Sequence, residues 1–149
     1  MSEELGREFA ARVAAADERL SAVTEQQAAQ SYRAGGWLRK QVLGHLLDSA
    51  ANNEQRFVRA ALYGEYACPG YEQEAWVAIH GYAGMSWTEL LAAWRSSNAQ
   101  LVRVVQRIEP ARLSAPVTLG AKPPVTLEWV IKDYWRHLDQ HVAQIAGGA

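Results

Sequence analysis

The sequence lacks the features that mark disulfide-rich, membrane-spanning or nucleic-acid-binding proteins. Its single cysteine, Cys68, excludes a disulfide framework and a four-cysteine zinc site. No apolar run reaches the roughly 18 residues that a membrane-spanning helix needs. The net charge of −1 argues against a nucleic-acid partner, because such proteins carry a basic excess.

The N-terminal residues Met-Ser-Glu-Glu are neither basic nor apolar, so we expect no signal peptide and a cytoplasmic location. The composition, with 49% apolar and 21% charged residues, is that of a globular protein. A chain of 149 residues is long enough for one domain, 1–149, that folds without a disulfide or metal.

The periodicity of the apolar residues predicts four long helices, spanning 2–24, 38–63, 86–108 and 126–146. Ser86 and Glu89 form a capping-box pattern at the start of the third helix. No alternating strand pattern is long enough to build a sheet, and 115–119 is the only strand-like segment. These features predict an all-α protein, a four-helix bundle.

A long crossover, 64–85, connects the second and third helices and contains a possible short helix, 72–80. A connection of this length can run back along a helix of about 37 Å, so the two helices can be parallel. The order up-down-down-up and the order up-down-up-down both remain open on loop length alone.

Three histidines lie on the predicted core-facing stripes of two helices. His137 and His141 are four residues apart and share one face of the fourth helix, and His45 lies in the equivalent stripe of the second helix. Buried imidazoles need partners for their ring nitrogens, and a divalent metal ion supplies one to all three. Three satisfied core histidines are the alternative interpretation.

The heights of the three histidines depend on helix direction. His45 lies about seven residues after the start of its helix, whereas His141 and His137 lie about five and nine residues before the end of theirs. The three side chains are level only if these helices are antiparallel, since parallel helices would separate them by roughly 10 to 15 Å. The up-down-down-up order gives this antiparallel pair.

Two segments carry a resemblance to a known family. Residues 36–59 contain a tryptophan-led helix start followed by Gly-His45-Leu-x-Asp48, and residues 133–145 contain His137-x-x-x-His141-x-x-x-Ile. In this order and spacing, the motifs resemble those of the DinB/YfiT-like superfamily over nearly the whole chain. In this sequence Gln140 stands where relatives often carry a second histidine.

The resemblance implies an up-down-down-up bundle, often a homodimer, with zinc or nickel held by His45, His137 and His141. Characterised relatives are thiol-dependent: some transfer low-molecular-weight thiols such as bacillithiol to electrophiles, and mycothiol-dependent isomerases belong nearby. The resemblance therefore implies a small-molecule substrate and a low-molecular-weight thiol as co-substrate. The six tryptophans give a dimer interface further aromatic surface.

Three histidines leave an open position on a metal, as in catalytic sites. The interpretation we favour is metal-dependent transfer of a thiol to a small electrophile, because a metal lowers the pKa of a thiol. A metal-dependent hydrolase, a non-enzymatic metal-binding stress-response module and a purely structural bundle are the alternatives.

Residues near the histidines are candidates for further roles. Asp48, one turn after His45, is either a catalytic base or ligand-orienting group, or a polar helix-face acid. Asn52 and Arg56 continue the same stripe and are candidates for binding a substrate carboxylate, or for structural bonds within the bundle. We expect Asp133 to form a surface salt bridge and His80 to lie on the surface.

Overall fold

A computed structural model describes residues 2–147 and contains six α-helices, two of them short. The helices are α1 (Ser2–Ser21), α2 (Glu25–Ala28), α3 (Arg39–Tyr63), α4 (Gln73–His80), α5 (Trp87–Arg107) and α6 (Leu127–Ala146). The long helices α1, α3, α5 and α6 form the predicted four-helix bundle. The first of them ends three residues earlier than predicted, because Thr24 caps the separate turn of α2.

Local signals in the sequence explain where the long helices begin and end. The Ser86 hydroxyl accepts a 3.2 Å hydrogen bond from the Glu89 backbone N–H, and the Glu89 carboxylate accepts one from Ser86, which confirms the predicted capping box. Thr126 caps α6, because its hydroxyl accepts a hydrogen bond from the N–H of Trp129. Gly64 ends α3 in the left-handed conformation that glycine adopts without strain.

Hydrogen bonds between the helices establish their directions. Arg39, at the start of α3, donates to the carbonyl of Ile145 at the end of α6, so these helices are antiparallel. Lys40, at the start of α3, donates to the carbonyl of Met85 just before α5. Further along both helices, Gln100 of α5 donates to Glu54 of α3, so α3 and α5 are parallel. Helices α1 and α6 are parallel, because Arg12 in the middle of α1 bonds Asp139 in the middle of α6, and Arg19 near the end of α1 lies beside Gly147 just after α6.

Helix α1 is antiparallel to α5, because Gly6 packs against Gln106 and Asp17 pairs with Arg95. Together with the contacts above, this describes an up-down-down-up order. Large apolar side chains fill the bundle, among them Phe9, Phe57 and Trp94, all inaccessible to solvent. No helix within residues 2–147 combines the length and the apolar character needed to cross a membrane.

A small sheet of three strands was not predicted, so the expectation of a bundle without a sheet was wrong in this detail. Strand β1 (Tyr66–Cys68) pairs in parallel with β2 (Pro116–Leu119), which pairs antiparallel with β3 (Val125–Thr126). Its strands come from two connections that are far apart in sequence, and none is long enough to show a clear alternation. The sheet joins the crossover after α3 to the segment before α6.

The rest of the crossover packs against α3. The possible short helix of residues 72–80 is present as α4. A 3-10 turn at Tyr82–Gly84 follows it and places the Tyr82 ring against Gly44 in α3. Because Gly44 has no side chain, the ring can lie directly beside the helix backbone, next to the candidate histidine His45.

Candidate metal centre

The Nε2 atoms of the three predicted histidines converge on one point between α3 and α6. The Nε2 atom of His137 lies 3.3 Å from that of His45 and 3.0 Å from that of His141. One ring nitrogen from each residue falls within 4.8 Å of the others. Among the described residues, no cysteine or carboxylate joins this group.

The bundle places the histidines at the same height. His137 and His141 are one turn apart on α6, and His45 faces them from the antiparallel helix α3. The Arg39–Ile145 contact aligns the two helices close to the cluster. His45 is buried, with 1% of its surface exposed, whereas the other two are half-buried. The cluster is thus closed on the α3 side and accessible from the α6 side.

The surroundings keep the three imidazoles neutral. Burial, followed by the nearby His141 and His137, lowers the pKa of His45 to about 3. Burial and the neighbouring His141 lower the pKa of His137 to about 4. Burial also lowers the pKa of His141, and its hydrogen bond to Gln144 partly offsets this effect. At neutral pH each ring therefore carries a nitrogen lone pair.

Gln144 determines which nitrogen of His141 carries the proton. The Nδ1–H of His141 donates a 2.7 Å hydrogen bond to the side-chain oxygen of Gln144. The Nε2 atom of the neutral ring is therefore left as a lone pair that points into the cluster. Sequence reasoning did not identify Gln144, although its position three residues after a candidate ligand is a recognisable signal.

The donor set fits a divalent cation better than it fits a hydrogen-bonded group of histidines. A single proton on Nε2 of His137 would have to serve both of its neighbours, whereas a cation can accept a lone pair from all three Nε2 atoms. In a tetrahedral zinc site, bonds of about 2.0–2.1 Å place two imidazole nitrogens about 3.3–3.4 Å apart. The two Nε2 separations are close to this value.

Asp48 is buried, but its contacts are with the crossover. Its Oδ1 accepts a 2.6 Å hydrogen bond from the Tyr82 hydroxyl and lies 3.2 Å from Nδ1 of His80. Burial raises the pKa of Asp48, while the Tyr82 hydrogen bond and His80 act in the opposite direction. A catalytic role for Asp48 stays a prediction, and the contacts shown here are those of a group that positions the crossover.

Asn52 and Arg56, the other two candidates in this stripe of α3, make different contacts. The side chain of Asn52 donates to the backbone carbonyl of Asp48 within the same helix. Arg56 lies half-buried and donates a 3.4 Å hydrogen bond to the side-chain oxygen of Asn53. Arg56 and Asn53, rather than Asn52, border the cavity that contains His137.

Two expectations about surface residues are also resolved. Asp133 forms the predicted salt bridge, and its partner is Arg136. His80 is exposed as predicted, but its ring also stacks on Tyr82 at 5.0 Å and approaches Asp48. His80 thus belongs to a polar contact that the sequence did not indicate, because the 3-10 turn after α4 creates it.

An open groove of about 520 Å³ begins at His137. Helix α3 contributes Ser49, Asn53 and Arg56 to one wall, and α6 contributes Asp133, Tyr134 and His137 to the other. Tyr71 from the crossover and Lys122 from the turn between β2 and β3 complete its rim. Sequence reasoning assigned no role to Tyr71 or Lys122, because they reach the groove only through the small sheet.

The fold and this cluster define a helical-bundle protein with three convergent histidines at one level. The sequence comparison agrees: residues 8–145 match the family model described as the DinB superfamily, and the chain belongs to that superfamily. The resemblance seen in the sequence motifs is thereby confirmed. A comparison with curated proteins gave no significant match.

Solved structures of two other proteins share the fold. YfiT from Bacillus subtilis, described as a probable metal-dependent hydrolase with an unusual four-helix bundle topology, aligns with a TM-score of 0.82 and 22% identity, over 99% of this chain and 83% of its own. The mycothiol-dependent maleylpyruvate isomerase aligns with a TM-score of 0.76 and 17% identity, over 97% of this chain. The present chain spans 59% of the isomerase's length. At these identities the alignments establish the fold alone.

Proposed function

We propose that this protein is a divalent-metal-dependent enzyme that transfers a low-molecular-weight thiol to a small electrophile. His45, His137 and His141 would hold the metal, and the convergence of their Nε2 atoms is the observation that carries the proposal. Zinc and nickel both suit imidazole ligands. A metal with an open position would lower the pKa of a bound thiol or water, so that a nucleophile forms at neutral pH.

The protein's own contribution is to keep the ligands neutral and oriented. Their lowered pKa values mean that protons do not compete for the Nε2 lone pairs at neutral pH. Gln144 holds the ring of His141 in the required tautomer. The groove at His137 gives a small molecule access to the cluster from one side.

The carboxylates near the histidines favour thiol transfer over hydrolysis. Hydrolysis usually employs a general base beside the attacking water. Asp48 is engaged by Tyr82 and His80, and Asp133 is paired with Arg136. A thiol does not need a general base, because metal coordination deprotonates it outright. The structural likeness to a mycothiol-dependent isomerase supports the same choice.

Hydrolysis is the second candidate. Its support is the likeness to YfiT, the probable metal-dependent hydrolase, which covers more of both chains. It would require Asp48 or Asp133 to leave its present partner when substrate binds.

Elemental analysis of tag-free protein is the first test. We expect about one zinc or nickel per chain, lost in His45→Ala and retained in His80→Ala, which removes a histidine outside the cluster. The loaded protein is then assayed for conjugation of a thiol to 1-chloro-2,4-dinitrobenzene and for hydrolysis of p-nitrophenyl acetate. No metal after zinc and nickel are added back would refute the proposal. Metal without either activity would favour a non-enzymatic binding module.

A further inference from the structure

The groove beside His137 carries two positive charges, Arg56 and Lys122, that no acid among the described residues balances. Within residues 2–147, neither Arg56 nor Lys122 forms an ion pair. Asp133 is the one acid among the groove residues, and Arg136 already pairs with it. The wall that leads to the histidine cluster is therefore positively charged and open to an anionic ligand.

Among the described residues, Asn53 is the one hydrogen-bond partner of the Arg56 guanidinium. The Asn53 side chain donates a 2.8 Å hydrogen bond to the Ser49 carbonyl, and its oxygen accepts one from Arg56. A guanidinium has five N–H donors, so a planar fork remains available for a carboxylate. Tyr71 borders the same groove, where burial raises the pKa of its phenol and keeps it a neutral hydrogen-bond donor.

The small sheet brings Lys122 to the groove. Gly120, in the left-handed conformation, donates a 2.8 Å hydrogen bond to the Cys68 carbonyl of β1. The turn that follows is closed by a bond from the N–H of Lys122 to the carbonyl of Leu119. The lysine is thereby placed at the rim of the groove, with its side chain exposed.

We infer that this groove binds a carboxylate of the small-molecule substrate through Arg56 and Lys122, which directs the reacting end of the molecule to His137. The inference deepens the proposed function and rests on it for the role of the histidines. The carboxylate belongs either to the thiol or to the electrophile, and both sources share the same recognition chemistry.

Two binding measurements test the inference separately from the proposed function. The first titrates metal-free protein with succinate, and with succinamide as the uncharged control, by calorimetry. The second titrates cobalt-loaded protein with mercaptosuccinate and with 2-mercaptoethanol and follows the sulfur-to-cobalt absorption. Arg56→Gln and Lys122→Gln are compared with Arg59→Gln, an exposed arginine on the same helix that bonds Gln55 outside the groove.

We expect succinate to bind and succinamide not to bind. Arg56→Gln should weaken succinate binding about ten- to a hundredfold, Lys122→Gln less because it is exposed, and Arg59→Gln hardly at all. A preference for mercaptosuccinate over 2-mercaptoethanol that Arg56→Gln removes would place the carboxylate on the thiol. Equal binding of the two thiols, with Arg56-dependent succinate binding, would place it on the electrophile.

The inference is overturned if Arg56→Gln weakens the binding of neither succinate nor mercaptosuccinate. It is also overturned if Arg59→Gln weakens binding as much as Arg56→Gln does. Failure of cobalt to bind would instead count against the proposed function. The succinate titration would still report on the groove, because it uses metal-free protein.

Discussion

The hydroxyl of Tyr82 donates a 2.6 Å hydrogen bond to the buried carboxylate of Asp48. This contact attaches the crossover to α3 one turn after His45. Both groups are buried. If a substitution removes one of them, water does not easily replace it as the hydrogen-bond partner of the other.

Replacing Asp48 by alanine should therefore destabilise the protein by about 1–3 kcal/mol, since the Tyr82 hydroxyl is left unsatisfied. Asp48→Asn, which keeps an acceptor oxygen, should cost less. Urea unfolding measures both variants, and elemental analysis should find an unchanged metal content, since Asp48 is outside the histidine cluster. An alanine variant as stable as the wild type would contradict the structural role. Loss of activity in a fully stable Asp48→Asn variant would instead support the catalytic role.

The stability of the metal-free protein should fall as the pH decreases from 6.5. The folded-state pKa of His45 is lowered from 6.5 to about 3, so the unfolded chain binds more protons over this interval and unfolding becomes easier. Between pH 6.5 and pH 5, His45 alone should account for about 2 kcal/mol. Chemical denaturation across this range measures the effect.

The matched variant is His45→Gln, which removes a buried histidine with a lowered pKa and should flatten the pH dependence. A wild-type stability that is constant from pH 7 to pH 5 would show that the cluster is not desolvated as described.

Gln144→Leu should weaken metal binding about 10- to 100-fold, because His141 loses the acceptor that fixes its tautomer. Gln140→Leu is the control: Gln140 is exposed on the same helix, at the position where relatives often have a histidine. Competition with a chromophoric zinc chelator gives both affinities. If the two variants bind zinc with equal affinity, Gln144 does not contribute to the metal site.

Gly44→Ala should destabilise the protein by about 1–3 kcal/mol, because a Cβ atom at this position would overlap the ring of Tyr82. Gly84→Ala should be nearly neutral, within about 0.5 kcal/mol, since no atom lies within 4 Å of a Cβ placed there. Thermal unfolding distinguishes them. A harmless Gly44→Ala substitution would mean that the crossover packs less closely on α3 than described.

Much of the bundle was predictable from local patterns. The observed starts of α5 and α6 lie within one residue of the starts predicted from the sequence, because Ser86 and Thr126 supply caps that act within a single turn. The identity of the three clustered histidines was also predictable, since helix periodicity places residues one turn apart on the same face. The small sheet was not, because its strands of two to four residues carry no periodic signal.

By itself, the sequence determined the helices, the face that each one buries and the histidines on those faces, because these depend on interactions between residues at most one or two turns apart. Only the tertiary structure decided what surrounds the cluster. The contact of Tyr82 with Asp48 depended on the path of the crossover, and the position of Lys122 depended on strand pairing between segments about 50 residues apart. Such contacts depend on how separate elements pack, and local sequence patterns do not encode that packing.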